Sequence, residues 1–166
     1  GNVPIEEAGE YSKKFKQALD YVNVELAKMI AKDGEGATKF IEVSVNGAFT
    51  KEDARKIARS VISSNLVKTA MFGSDANWGR IMCAVGYADA NCDISKINIT
   101  FTNELGTEML VKDGTPLDFS EENAKKILEE PYITIEIDLK NGDYNAKAWG
   151  CDLTYDYVKI NGEYRS

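Results

Sequence analysis

The sequence predicts an α/β (α+β) fold, with helices and strands alternating along the chain, from three observations. A helical apolar period runs from Glu10 to Lys32, period-two alternation returns in several later segments, and 43% of the 166 residues are hydrophobic without any run of membrane-spanning length. That content is enough for a real core. No internal repeat, low-complexity stretch or linker rich in Pro, Gly or Ser cuts the chain into independent units.

In the first helix Phe15, Leu19, Val22, Leu26, Met29 and Ile30 recur at steps of three and four, which predicts one buried stripe. Asp33-Gly34 should stop it, with Gly34 in the left-handed C-terminal conformation. Phe40 to Asn46 sets Ile41, Val43 and Val45 against Glu42, Ser44 and Asn46, as in a half-buried strand. Thr50 with Asp53 reads as a capping box for a helix through Ser63, with Ala54, Ile57, Ala58 and Val61 turned inward. A third helix runs from Trp78 towards Tyr87.

Beyond residue 95 strands dominate. Ile97 to Phe101 alternates, Met109-Leu110-Val111 gives a short partner, and Ser120 with Glu121 and Glu122 opens a helix that ends before Pro131. Tyr132 to Leu139 is a strand whose Asn141-Gly142 predicts a tight hairpin back into Tyr144 to Cys151.

Composition excludes several chemistries. There is no histidine, so Ser-His-Asp and Cys-His arrangements and His-ligated metal sites are ruled out within these residues. Any base for acyl or proton transfer must be a carboxylate, a lysine, a tyrosine, a chain-terminal amine or a group on another polypeptide. A formal charge of -7 with no long basic run argues against nucleic acid as a partner. Gly1-Asn2-Val3-Pro4 has neither the positive nor the apolar region of a secretory leader, and no membrane association is expected. Cys83, Cys92 and Cys151 show no Cys-x-x-Cys spacing, so a reducing cytoplasm is the expected compartment. Cys83, inside Ile81-Met82-Cys83-Ala84-Val85, is expected to pack as a small hydrophobe.

Three segments are candidates for chemistry. Phe72-Gly73-Ser74-Asp75-Ala76-Asn77-Trp78-Gly79-Arg80-Ile81 concentrates polar groups around a tryptophan; it fits a built polar site and a capped helix start equally well. Asp33-Gly34-Glu35-Gly36-Ala37-Thr38-Lys39 lacks the spacing of a phosphate loop. Its Glu35, between two glycines, suits an ammonium group, although a plain helix stop with a solvated glutamate explains the same residues. The end, Lys159 to Ser166, carries Ile160, Tyr164 and Arg165 as anchors, so a docked tail offering the Asn161 amide and the Ser166 hydroxyl is expected.

The Asp33 to Lys39 segment, Leu66-Val67-Lys68-Thr69-Ala70, Gly73 to Ile81 and Asp152-Leu153-Thr154-Tyr155-Asp156-Tyr157-Val158-Lys159-Ile160-Asn161 together resemble the ornithine acetyltransferase family, the bifunctional glutamate N-acetyltransferases of arginine biosynthesis. The similarity runs in order from about Leu26 to Ser166 and is weak in the first helix. It implies a layered fold shared with self-processing aminopeptidases, with mixed and mostly antiparallel strands. It implies a precursor that cuts itself into α and β chains paired as an α2β2 heterotetramer. The N-terminal threonine of β would carry acetyl from N2-acetyl-L-ornithine to L-glutamate, some members also accepting acetyl-CoA, with no cofactor. The resemblance places substrate contacts on Glu35, Asn161 and Ser166 and leaves Asp75, Asn77 and Arg80 as structural candidates.

Gly1-Asn2-Val3-Pro4 does not match the threonine start of such a β chain. The chain is accordingly expected to be the C-terminal part of β, without the nucleophile and inactive alone. Residues 1–35 then belong to a core lobe shared with upstream residues, and residues 36–166 form the C-terminal lobe. Two rivals are a non-catalytic amino-acid-binding or assembly module and a related self-processing aminopeptidase.

Overall fold

One six-stranded sheet organises the chain, in the order β4-β3-β2-β5-β1-β6. The computed structural model describes residues 9–164. In chain order its elements are α1 (Glu10–Lys32), β1 (Phe40–Ala48), α2 (Lys51–Ser63), α3 (Asn65–Phe72), α4 (Trp78–Gly86), β2 (Asn98–Asn103), β3 (Gly106–Lys112), β4 (Thr115–Pro116), α5 (Glu121–Glu129), β5 (Tyr132–Asp138), β6 (Tyr144–Cys151) and α6 (Tyr155–Glu163). Only β1 and β5 pair in parallel; every other neighbouring pair is antiparallel. The layered, mostly antiparallel α/β fold is as expected.

Alternation along each strand sorts the sheet into two unlike faces. Ile41, Val43 and Val45 of β1 lie beside Ile133, Ile135 and Ile137 of β5, which continue to Ile99 and Phe101 of β2. All eight are 2% exposed or less. Helix α2 covers this face with Ala54, Ile57, Ala58 and Val61, the four residues its capping-box reading turned inward. Thr50 Oγ1 accepts from the Asp53 N–H at 3.0 Å, so the predicted cap is formed. Ile81, Ala84 and Val85 of α4 and Ala124, Ile127 and Leu128 of α5 complete the same layer.

The other face is polar. Glu42, half-buried, receives the Lys147 ammonium at 2.6 Å and the Trp149 indole N–H at 2.7 Å. Burial works to raise its pKa, but these bonds outweigh burial and hold the carboxyl below its usual 4.5. A depressed native pKa means the unfolded chain binds more protons below 4.5, so this contribution is present above 4.5 and lost as pH falls through the native value. Urea midpoints should therefore show a stability gap between the wild type and Glu42→Gln that narrows on acidification. A gap constant with pH would contradict this assignment.

Four expectations are corrected. The α1 stripe is real in its period but not buried: Phe15, Leu19, Val22, Leu26, Met29 and Ile30 are 46–76% exposed, and α1 has no buried residue. Burial needs a facing surface, and among the described residues no element supplies one. The helix touches the sheet through its polar side, with Lys28 Nζ 5.8 Å from the Trp149 ring centre and Lys32 Nζ 5.0 Å from that of Tyr132.

The hairpin is absent as well, because β1 lies between β5 and β6. Residues 139–143 instead step across the end of β1, with Asn141 and Gly142 N–H groups both donating to the Gly47 carbonyl at 2.7 and 2.8 Å. Gly47 is left-handed, and a Cβ there would meet Lys140 N at 2.8 Å. Asn141 pins the crossing by accepting from Asp93 N and donating to the Leu139 carbonyl.

At the end of α1 the left-handed glycine is Gly36, with φ of 66°, and not Gly34. Cys83 is exposed, because α4 turns Ile81, Ala84 and Val85 to the core and Cys83 away from it. Cys92 instead packs against the core, and burial raises its thiol pKa. Helix α3 and strand β4 had no counterpart in the sequence reading. Among the described residues no helix is long and apolar enough to cross a membrane.

Candidate functional site

Glu35 and Asn161 are 126 positions apart in the chain, yet the Asn161 amide donates to Glu35 Oε2 at 2.6 Å. Glu35 stands on the loop between α1 and β1, and Asn161 on α6, both exposed to solvent. The same Asn161 nitrogen donates to the Tyr157 carbonyl at 2.9 Å, which uses both of its hydrogens. What remains open is acceptor capacity: the second Glu35 oxygen and the Asn161 carbonyl oxygen. The pair therefore presents acceptors only, an arrangement whose chemistry suits a donor cation such as a primary ammonium. It has no donor left for a carboxylate. Ser166, the third predicted contact, lies outside the described residues.

Two ties bring these residues together. The Asp152 carboxylate, 3% exposed, accepts from Thr38 N at 2.9 Å, Lys39 N at 3.0 Å and the Thr38 hydroxyl at 2.5 Å. Two residues on, the Thr154 hydroxyl donates to the Gly36 carbonyl at 2.7 Å and accepts from Tyr157 N, capping α6. The tail is thus tied at the start of α6 and at Asn161. The expected anchors are not docked: Ile160 is 41% and Tyr164 78% exposed, and α6 buries no residue. Arg165 lies outside the described residues.

Behind this loop sits a buried lysine. Lys39 Nζ donates to the Met71 carbonyl at 2.6 Å, to the Phe72 carbonyl at 3.5 Å and to Ser74 Oγ at 2.8 Å. Three donated bonds match the three hydrogens of an ammonium, and the carbonyls belong to the negative end of α3. Burial pulls the Lys39 pKa below its usual 10.5, opposed by the charges of Asp152 and Glu129.

The tryptophan turn resolves towards the structural alternative. Asn77, and neither Ser74 nor Asp75, caps α4, accepting from Arg80 N at 3.1 Å while its amide donates to Asp75 at 3.0 Å. Arg80 Nη1 donates to the Leu66 carbonyl at 2.9 Å, joining α4 to α3. Ser74 takes a left-handed φ of 51° and connects Lys39 to the Leu128 carbonyl. Trp78 packs against the core. None of these side chains reaches Glu35 or Asn161 by a hydrogen bond.

Asp152, Thr154, Thr38 and Lys39 were not singled out from the sequence. A threonine just ahead of Tyr155-Asp156 is a cap signal that could have located the start of α6. No local pattern announces a carboxylate whose partners are more than a hundred residues away. Among the described residues no group of three or more His, Cys, Asp or Glu side chains could hold a metal ion.

The family model described as "ArgJ family" matches residues 2–166. The arginine biosynthesis bifunctional protein ArgJ 1 of Clostridium acetobutylicum is 59% identical over 166 residues, covering 100% of this chain and 41% of that protein. The glutamate N-acetyltransferase of Methanopyrus kandleri is 50% identical over 153 residues, 92% of this chain and 39% of its own length. The crystal structure of the arginine biosynthesis bifunctional protein argJ from Bacillus halodurans superposes with a TM-score of 0.89 at 43% identity, covering 98% of this chain and 75% of that one. The chain thus spans about two fifths of the length of these curated relatives. With a family model running over nearly its whole length and relatives this similar across it, the chain belongs to the ArgJ family.

Proposed function

We propose that this chain is the substrate-gripping part of the β chain of a glutamate N-acetyltransferase, which moves acetyl from N2-acetyl-L-ornithine to L-glutamate. The observation that carries this reading is the Glu35–Asn161 pair, an exposed acceptor-only site in a member of a family whose relatives include a glutamate N-acetyltransferase. Both substrates present a primary ammonium, δ in acetylornithine and α in glutamate, and either suits the open oxygens of the pair. The Ser166 hydroxyl is the third proposed contact, and the substrate carboxylate is held by groups outside the pair.

The reacting alcohol belongs to the threonine that autocatalytic cleavage leaves at the start of β. Its own α-amine takes the hydroxyl proton as the threonine oxygen attacks the acetyl carbonyl, then passes that proton to the α-nitrogen of ornithine as the C–N bond breaks and ornithine leaves. The α-amine of glutamate, after losing a proton, then attacks the ester carbonyl, the C–O bond to threonine breaks, and the threonine oxygen is reprotonated. No step requires a histidine. The α chain of the same precursor supplies oxyanion stabilisation and completes an α2β2 assembly in a reducing cytoplasm; acetyl-CoA is an alternative donor. Helix α1 packs on that remaining part, which would cover its exposed stripe and recover about 25 cal/mol per Å² of apolar surface.

Reconstitution tests the reading. This chain alone should not transfer acetyl, whereas the complete precursor carrying this sequence should form acetylglutamate from acetylornithine and glutamate. Turnover by the isolated chain, or none by the processed complete enzyme, would overturn it. Tight amino-acid binding by the isolated chain together with an inert complete protein would favour a binding module.

A further inference from the structure

Building on the substrate-gripping reading above, we propose that Asp152 is a positioning residue for the amino-acid site, setting the separation of Glu35 and Asn161 by clamping Thr38 and Lys39. Its carboxylate is 3% exposed and all three of its acceptor contacts go to residues 38 and 39, three and four positions beyond Glu35. On its own strand of sequence it stands nine positions ahead of Asn161. One buried anion therefore joins the two chain segments that each carry half of the site.

The packing of α6 makes this tie decisive. A helix normally keeps its place by burying an apolar face, but α6 buries no residue and its Tyr155 and Val158 are 83% and 64% exposed. Its place is set by the Asp152 clamp, by the Thr154 hydroxyl on Gly36, by the Asn161–Glu35 bond and by an edge-on contact of Tyr155 with Phe72 at 5.5 Å. The Asp152 carboxylate makes the strongest of these contacts, because it accepts three charge-assisted bonds at a buried position where Glu35 accepts one in solvent. Losing its charge should release α6 from the loop without opening the sheet, whose core lies elsewhere.

The test is Asp152→Asn in the complete enzyme. Asparagine keeps an oxygen for the Thr38 and Lys39 N–H groups and turns its NH2 towards the Thr38 hydroxyl, which can accept, so what the change removes is the negative charge. The expected result is a KM for acetylornithine raised about tenfold with kcat changed far less, together with faster hydrogen exchange of the α6 amides and unchanged exchange in β1 and β5. If Asp152→Asn does not fold, Thr38→Val, which removes only the hydroxyl contact, should shift KM and α6 exchange in the same direction. Unchanged KM and unchanged α6 exchange would overturn the proposal. A variant of Glu35 separates the two readings. If Glu35→Gln is kinetically silent, the substrate site itself is misassigned; if Glu35→Gln impairs binding while the Asp152 variant does not, only the positioning role fails.

Discussion

Glu35→Gln in the complete enzyme should lower kcat/KM for glutamate and for acetylornithine about 10- to 150-fold. Glutamine has the length and planarity of glutamate, and its amide oxygen can still accept from Asn161 Nδ2, so the 2.6 Å bond that joins loop to helix can survive. What is lost is the negative charge and one acceptor, since the second oxygen becomes an NH2 that points hydrogens at the incoming ammonium. A hydrogen bond to a charged group contributes about 1.5–3 kcal/mol, and conversion of that range gives the stated loss. For acetylornithine the δ-ammonium lies away from the acetyl group, so binding before reaction should carry most of the effect and KM should rise more than kcat falls; for glutamate the α-nitrogen is itself the acetyl acceptor, so kcat should fall as well. Steady-state kinetics with each substrate varied in turn decides it, and kinetics equal to wild type would remove Glu35 from the site.

How much of this could be seen in the sequence depends on the range over which each interaction acts. The α2 cap and its four inward residues were legible because Thr50, Asp53, Ala54, Ile57, Ala58 and Val61 sit within a few turns of one another. Strands β1, β2 and β5 were legible for the same reason: alternation is a property of adjacent residues. The strand order was not. Asn141-Gly142 is a local turn signal, yet a parallel pairing of β5 with β1, strands more than eighty residues apart, occupies the place that a hairpin partner would take. The α1 stripe shows the converse. Its period is correct and its burial is not, because periodicity reports which side of a helix is apolar and says nothing about what faces it.

The site divides in the same way. Glu35 and Asn161 came from the family resemblance, and bottom-up chemistry could say only that a carboxylate between glycines suits a cation. Their contact is a tertiary fact, made by Asp152 and Thr154, whose partners lie 113 to 118 positions away. The tryptophan turn, the most conspicuous stretch in the sequence, holds α3 to α4 and seats Lys39. A dense set of short polar side chains serves helix ends as readily as substrates, since both require satisfying exposed N–H and carbonyl groups.

Gly36→Val should release α6 and depress acetyl transfer at least as far as Glu35→Gln does. Gly36 has φ of 66°, where a β-branched residue carries a strain on the order of 1–3 kcal/mol. Space adds to strain: a Cβ would sit 2.9 Å from Tyr157 N and 3.1 Å from the Asp156 carbonyl carbon, backbone atoms at the start of α6 that cannot swing aside. Relief requires the loop and the helix to part, which breaks the Thr154–Gly36 bond and carries Asn161 away from Glu35. Global unfolding should change little beyond the local strain, because Gly36 lies outside the apolar face of β1, β2 and β5. Gly162→Ala is the matched control. Nothing lies within 4 Å of a Cβ there, and a helical alanine should gain up to about 1 kcal/mol over glycine. Amide exchange across residues 155–163, read beside kinetics of the complete enzyme, separates the outcomes: wild-type protection and turnover in Gly36→Val would mean that the close approach of loop and helix does not set the site.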